Sequence, residues 1–288
     1  MPEKREATSI CVFGLGLMGR PLARALTAAG YEVRGWNRSP LEREVVEGIT
    51  VYADLAEAGD TEVALLMLAD SAPVRLVLAR LEEHLRPGAV VLDMGSSDPS
   101  DSRARAARLA AKGVGWVDAP VSGGPEGVRS RDLAIMAGGT ERDFLRVRPI
   151  LRTLGTVVHV GEPGAGHTVK IINQTIVGLT IEAVAEALAL AERSGLDLRL
   201  VKEALAGGSA DSRILQVHGV RMIEHDYAPG AKVATMLKDL RMAAELASRL
   251  GVDLPHVSST VQLYETLVSQ GEGDLDCSAL HKLRLLPA

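Results

Sequence analysis

The stretch SICVFGLGLMGRPLARALTAAG, residues 9–30, places three glycines where an apolar run passes into a helical pattern. Gly14, Gly16 and Gly19 have the spacing G-x-G-x-x-G. Ser9 to Phe13 reads as a buried strand, and Leu17 to Ala29 carries apolar residues at helical spacing. Each glycine has its own physical task. Gly14 permits the tight strand-to-helix turn, Gly16 lets the backbone approach a pyrophosphate, and Gly19 lets the helix pack closely. The N–H groups and positive dipole end of that helix then face the phosphates. Gly14, Leu15, Gly16, Leu17, Met18 and Gly19 are therefore the expected phosphate-holding loop of a dinucleotide site.

Outward from this loop, the alternation of short apolar strands and helical patterns continues to about residue 160. Strands are expected at 9–13, 32–36, 62–68, 89–93, 115–118, 133–137 and 156–160, with helices at 41–47, 74–84, 102–111 and 141–154 between them. This rhythm predicts a mostly parallel sheet wound on both faces. After the cluster GEPGAG at 161–166 only helical patterns follow, over about 165–194, 197–206, 212–224, 232–250 and 255–270. The expected fold is α/β: a Rossmann-type doubly wound sheet over 1–162, followed by an all-α C-terminal domain over 163–288. The first long helix of that domain is rich in Ile and Val, and is expected to be buried nearly all round. Lys170, Asn173, Gln174, Glu182 and Glu186 stand out on it.

The bulk composition narrows the function classes. The 288 residues carry a net charge of −5, with 47% hydrophobic, 24% charged and 3% aromatic residues. That balance argues against a nucleic-acid partner, which asks for basic patches and stacking rings. No uninterrupted apolar run reaches the ~18 residues of a membrane span. The opening MPEKREAT has no apolar core of a secretory signal. Cys11 and Cys277 form neither a disulfide framework nor a zinc knuckle. A cytoplasmic protein with no membrane partner is expected.

At the tip of the second strand the sequence reads RGWNRS, residues 34–39. A carboxylate there would accept hydrogen bonds from the 2′-hydroxyl of NAD, whereas an arginine accommodates the 2′-phosphate of NADP. Asn37 stands in the carboxylate's place, Arg38 supplies a planar donor fork and Ser39 adds a hydroxyl. NADP is the expected cofactor, with NAD possible. Ser39-Pro40 also reads as an ordinary helix N-cap, and both readings hold together.

Ligands in open α/β sheets bind beyond the carboxyl ends of the strands. Met67 and Leu68 end one strand, where they would pack along the dinucleotide. Ser96 lies after the next. Ser122, Gly123 and Gly124 form a turn whose consecutive N–H groups can hold a small carboxylate, although S-G-G-P also describes an ordinary turn. Lys170 sits in an apolar helix, where a charge is costly unless paired, used or extended to solvent. Asn173 and Gln174 share its face at i+3 and i+4. A lysine beside carboxamides suits carbonyl reduction, which needs a proton donor for the developing alkoxide.

With GLGLMGRPLA, DAPVSGGP and the Gly161–Gln174 stretch GEPGAGHTVKIINQ in that order, the chain resembles the β-hydroxyacid dehydrogenase family. That family includes 3-hydroxyisobutyrate dehydrogenase, tartronate semialdehyde reductase and the glyoxylate/succinic semialdehyde reductases. The resemblance extends through Lys238-Asp239-Leu240 and the terminal DCSAL at 276–280. It implies that Lys170 is the catalytic lysine and that Ser122 to Gly124 bind the substrate carboxylate beside Asn173 and Gln174. It further implies that Ser96 lies near the nicotinamide ribose and that Lys238 reaches the cofactor. The implied partner is a small carboxylic-acid substrate, and a homodimer or homotetramer is expected. Gly95 departs from the family, which usually has serine there, and Arg131-Asp132 replaces the usual Gly-Thr.

The seven histidines show no metal-ligand spacing, so no metal is expected. His167, three residues before Lys170, has two readings, touching the site or marking the polar start of a helix, and the second is the simpler; His218 and His225 read as surface positions, and Trp36 and Trp116 read as core. Asp239 has two readings, orienting Lys238 or facing solvent. Two alternatives to the dehydrogenase are a catalytically silent dinucleotide sensor, which needs neither Lys170 nor Ser122, and an imine reductase on the same scaffold, whose members usually lack the lysine.

Overall fold

The computed structural model describes residues 8–41 and 48–285, so the helix expected at 41–47 falls almost wholly outside the described residues. The chain forms two compact units, Met1–Lys170 and Ile171–Ala288, whose boundary lies inside one long helix.

In the first unit the strands are β1 (Ser9–Phe13), β2 (Glu32–Trp36), β3 (Thr50–Tyr52), β4 (Val63–Leu66), β5 (Val90–Asp93), β6 (Gly115–Asp118), β7 (Val121–Ser122), β8 (Leu133–Gly139) and β9 (Gly155–Gly161). They make one sheet in the order β3-β2-β1-β4-β5-β6-β8-β7, with β9 paired to β8. Pairs from β3 through β6 are parallel, while β8 runs antiparallel to both β6 and β7. The period of two along each strand explains the two faces. Ile10 and Val12 of β1 enter one apolar cluster, and Cys11 and Phe13 enter the other. Helices α1 (Gly19–Ala28), α5 (Gly124–Ser130) and α6 (Glu141–Arg152) cover the first face. Helices α2 (Leu55–Ala58), α3 (Ser71–Leu81) and α4 (Pro99–Ala110) cover the second. The central strands β1, β4, β5 and β6 are thus buried on both sides, as their continuous apolar runs require, while the edge strands β3 and β9 are partly exposed. Trp36 and Trp116 both lie in the core.

The second unit contains helices, with one isolated antiparallel bridge between Lys232 and Asp276 among the described residues. It takes most of α7 (Ala165–Arg193), then α8 (Leu198–Leu205), α9 (Arg213–Ile223), α10 (Val233–Leu250), α11 (Pro255–Ser269), a 3-10 turn at Cys277–Ala279 and α12 (Leu280–Leu285). Its core joins Ile181 and Leu188 of α7 to Met222, Leu240 and Tyr264. The polar members of α7 are used as well. Arg284 reaches Glu182 and Glu186 at 2.9 Å each, and the Thr260 hydroxyl donates to Glu182.

One expectation for α7 fails. Its length and composition would let it cross a membrane, yet it is neither uniformly buried nor uniformly exposed. Ile181 is fully buried, whereas Ile172 and Ile176 are more than half exposed. Apolar composition all round a helix does not say which side its own chain covers; packing decides that.

Candidate functional site

The glycine loop follows from three different steric demands. Gly14 has φ +99°, the left-handed region that glycine enters without penalty, and its N–H donates to the Trp36 carbonyl at 2.9 Å. A Cβ on Gly19 would run into the Gly14 carbonyl, so the first turn of α1 can lie against the loop only without a side chain. A Cβ on Gly16 would meet nothing within 4 Å. The space over Gly16 is open. Around it, Leu15 is buried beneath Gly35, Leu17 is exposed and Met18 is half-buried.

The tip of β2 is tied to this loop by a contact the sequence did not disclose. Asn37 Oδ1 accepts from the Leu15 N–H at 3.0 Å, and its Nδ2 donates to the Ser39 carbonyl at 2.9 Å. Asn37 thus spans the loop and the strand tip, while Arg38 and Ser39 are exposed beyond it. The N-cap reading of Ser39 concerns a helix outside the described residues.

Met67 and Leu68 follow β4 and are half-buried, and the Met67 N–H donates to the Phe13 carbonyl. The Leu68 backbone explains Gly95, because a Cβ there would collide with the Leu68 carbonyl oxygen. Ser96 is half-buried beside Ser97, whose hydroxyl donates to buried Asp93 at 3.0 Å. Ser122 ends β7, and Gly123 (φ +132°) and Gly124 (φ +61°) turn the chain into α5.

Asp118 and His167 join this region to the start of α7. Asp118, at the end of β6 and fully buried, accepts from the Gly164 N–H at 2.7 Å and the His167 N–H at 2.9 Å. It satisfies N–H groups that the first turn of a helix leaves without partners. Burial pushes its carboxyl above the usual range, against the opposing pull of His167 and of those N–H groups. His167 is buried as well, and its Nδ1 is 2.7 Å from the Ser102 hydroxyl. Its Nε2 has no hydrogen-bond partner and lies 3.9 Å from Asp93 Oδ2. Helix-start polarity accounts for the backbone of His167 but not for its ring. Lys170, one turn on, is half-buried.

In the second unit the carboxamides form a relay. Asn173 Nδ2 donates to Gln174 Oε1 at 2.8 Å, and Gln174 Nε2 donates to Asp239 Oδ2 at 2.7 Å. Lys238 Nζ is 3.1 Å from Asp239 Oδ1. Of the two readings of Asp239, the orienting one holds: it is buried and faces Lys238 and Gln174 rather than solvent.

His218 corrects the surface reading. It is half-buried, 3.2 Å from Asp276 Oδ1 and 4.0 Å from Cys277 Sγ. These three groups are a metal-like cluster that spacing along the chain could not reveal. The carboxylate is already committed: Oδ1 accepts from the Ser278 N–H and hydroxyl, and Oδ2 from the Ala231 N–H, with Arg221 3.8 Å away. Burial would raise the carboxyl, but the His218 and Ser278 hydrogen bonds hold it down at about 2. Burial pushes the Cys277 thiol far up, the opposite of what a metal thiolate needs. The cluster staples α9 to the turn after α11.

A glycine loop between β1 and α1 in a doubly wound sheet, with an all-helical unit following in the same chain, defines a dinucleotide-binding protein of the dehydrogenase type. Residues 9–161 match the family described as the NAD binding domain of 6-phosphogluconate dehydrogenase. Residues 164–284 match the one described as NAD-binding of NADP-dependent 3-hydroxyisobutyrate dehydrogenase. The chain is 38% identical to 2-hydroxy-3-oxopropionate reductase of Escherichia coli, over 93% of this chain and 94% of that one. It is 33% identical to a probable 3-hydroxyisobutyrate dehydrogenase-like protein of Arabidopsis thaliana, over 95% and 84%. The crystal structure of 3-hydroxyisobutyrate dehydrogenase from Salmonella typhimurium superposes with a TM-score of 0.87 at 31% identity, covering 96% of this chain and 99% of that one. The chain belongs to the β-hydroxyacid dehydrogenase family of NAD(P)-dependent oxidoreductases.

Proposed function

We propose that this chain is an NADP-preferring oxidoreductase that interconverts a small β-hydroxyacid and its semialdehyde, of the 3-hydroxyisobutyrate or tartronate semialdehyde type. Lys170 is its general acid in reduction and its general base in oxidation. The observation that carries the reading is the bond pattern of Asp118. This carboxylate ends the strand that leads to Ser122–Gly124 and accepts from two N–H groups at the start of α7. It therefore holds the carboxylate-binding loop and the helix turn bearing Lys170 to one buried anchor. Such anchoring is what proton transfer in a fixed geometry requires.

The glycine loop fits a dinucleotide, since the space over Gly16 is open and Asn37 stiffens the loop beneath it. Loop residues 14–19 would hold the pyrophosphate, and Met67 and Leu68 would line the dinucleotide. When bound, the nicotinamide ring supplies or accepts the hydride. The Ser122 hydroxyl and the N–H groups of Gly123 and Gly124 bind the substrate carboxylate. The Lys170 Nζ ammonium gives its proton to the carbonyl oxygen as negative charge develops there; in oxidation the neutral amine takes the hydroxyl proton. By resemblance, Asn173 and Gln174 bind the substrate, and Asp239 fixes the Gln174 amide. By resemblance, Ser96 and Lys238 contact the cofactor. Arg38 and Ser39, with no carboxylate at the β2 tip, favour the 2′-phosphate. The protein is proposed to work in the cytoplasm as a homodimer or homotetramer.

The test is NADPH consumption with 3-hydroxyisobutyrate-type, tartronate and succinic semialdehydes and with glyoxylate. Lys170→Ala should lower kcat by about 10²–10⁴ while NADPH still binds. Arg38→Ala should weaken NADPH by about tenfold or more and leave NADH unchanged. Wild-type turnover in Lys170→Ala, or tighter NADH than NADPH binding by the native chain, would contradict the mechanism and the cofactor preference respectively.

A further inference from the structure

The first unit has a groove between α1 and α5 that the proposed chemistry leaves unused. Its volume is about 490 Å³, and four arginines line it: Arg20 and Arg24 from α1, Arg129 from α5 and Arg131 just past its end. Among the described residues, no carboxylate lines it. In a chain of net charge −5, this gathering of like charge needs a reason.

The charges are unequally neutralised. Arg129 is paired with Glu126, its Nε 3.0 Å from Oε2. Arg20 Nε donates to the Gly16 carbonyl, which is uncharged. No hydrogen bond or ion pair is made by the Arg131 side chain among the described residues. Arg131 also has φ +58°, in the left-handed region that L-residues avoid and glycine tolerates. That conformation ends α5 as its left-handed cap, where glycine would cost less; what the cap leaves unexplained is an arginine side chain without a partner set beside other arginines.

We propose that this groove binds a small organic phosphate. Guanidinium forks match phosphate oxygens in paired, charge-assisted hydrogen bonds. Leu17, Pro21, Pro125 and Val128 supply carbon surface for the ligand's hydrocarbon part. The volume suits a metabolite rather than a macromolecular partner. One end of the groove adjoins the glycine loop at Leu17, and another adjoins Gly124 at Pro125. The dinucleotide's own pyrophosphate is thus the second source of the same chemistry, and the test must separate the two.

The experiment is calorimetric titration of the full chain with phenyl phosphate and with inorganic phosphate, at low ionic strength, first without and then with saturating NADPH. Phenyl phosphate should bind once per chain, more tightly than inorganic phosphate. Arg24→Gln and Arg131→Gly should each weaken it by about tenfold or more. Arg131→Gly relieves the backbone conformation, so its thermal midpoint should not fall, and lost binding cannot be ascribed to misfolding. The proposal is overturned if phenyl phosphate gives no heat, or if Arg131→Gly binds it as the native chain does. It is equally overturned if saturating NADPH abolishes the signal, which would assign the anion to the dinucleotide loop, or if phenyl and inorganic phosphate bind alike.

Discussion

Adding a single methyl group at Gly16 and, separately, at Gly19 should give opposite phenotypes from chemically identical changes. At Gly19 the new Cβ would stand 1.8 Å from the Gly14 carbonyl oxygen. Close C···O contacts lie near 3.3 Å, so that carbonyl would have to retreat by roughly 1.5 Å. It has little room to do so. Gly14 is held in its left-handed conformation by the bond from its N–H to Trp36, and Met67 blocks its own Cα face. Overpacking against backbone of this kind costs about 3 kcal/mol or more. At Gly16 the methyl meets nothing within 4 Å and φ is not positive, so stability should hold or rise by up to about 1 kcal/mol through the unfolded chain. The methyl nevertheless occupies the space proposed for the pyrophosphate, which should weaken NADPH at least ~10-fold, or about 1.4 kcal/mol. Thermal unfolding and NADPH fluorescence titration read the two effects independently. Native NADPH affinity in Gly16→Ala, or a native unfolding midpoint in Gly19→Ala, would refute the assignment of separate tasks to these glycines.

Two further changes probe the buried carboxylates. Asp118→Ala strands the Gly164 and His167 N–H groups and should cost about 3 kcal/mol, together with a fall in kcat; an unchanged unfolding midpoint would remove the anchoring argument. Asp276, held at about 2 against an ordinary 3.8, has a depressed folded value, so its contribution is complete above pH 3.8 and is lost as pH falls through the window toward 2. Discounted for partial solvation it amounts to about 1–2 kcal/mol. Denaturation of the native chain and Asp276→Asn between pH 6 and about pH 2.5 should show the difference shrinking on the acid side. A difference independent of pH would mean that the carboxylate's charge is not what staples the turn.

Much of this architecture was legible because it depends on near neighbours. The apolar run before Gly14 and the three glycine spacings specify a strand, a turn and a helix within about twenty residues. The 3.6-residue periodicity of 141–152, 233–250 and 255–269 marked their helices to within two residues. Short elements escaped. Thr50–Tyr52 and Val121–Ser122 are too brief to show a period, and α5 carries glycine and proline that read as a turn. The exposed stripe of α7 was hidden because its composition is apolar on every side.

Local spacing by itself therefore determined the order of the longer elements, the glycine loop and the group of polar residues around Lys170. Tertiary structure alone decided which distant atoms meet: Asp118 with the start of α7, Asn37 with the Leu15 N–H, His218 with Asp276, and the arginines of α1 with Arg129 and Arg131 at the end of α5. The physical reason is that periodicity reports burial along one segment. A hydrogen bond or ion pair across tens of residues depends on where separate strands and helices end in space, and no pattern within either segment encodes that position.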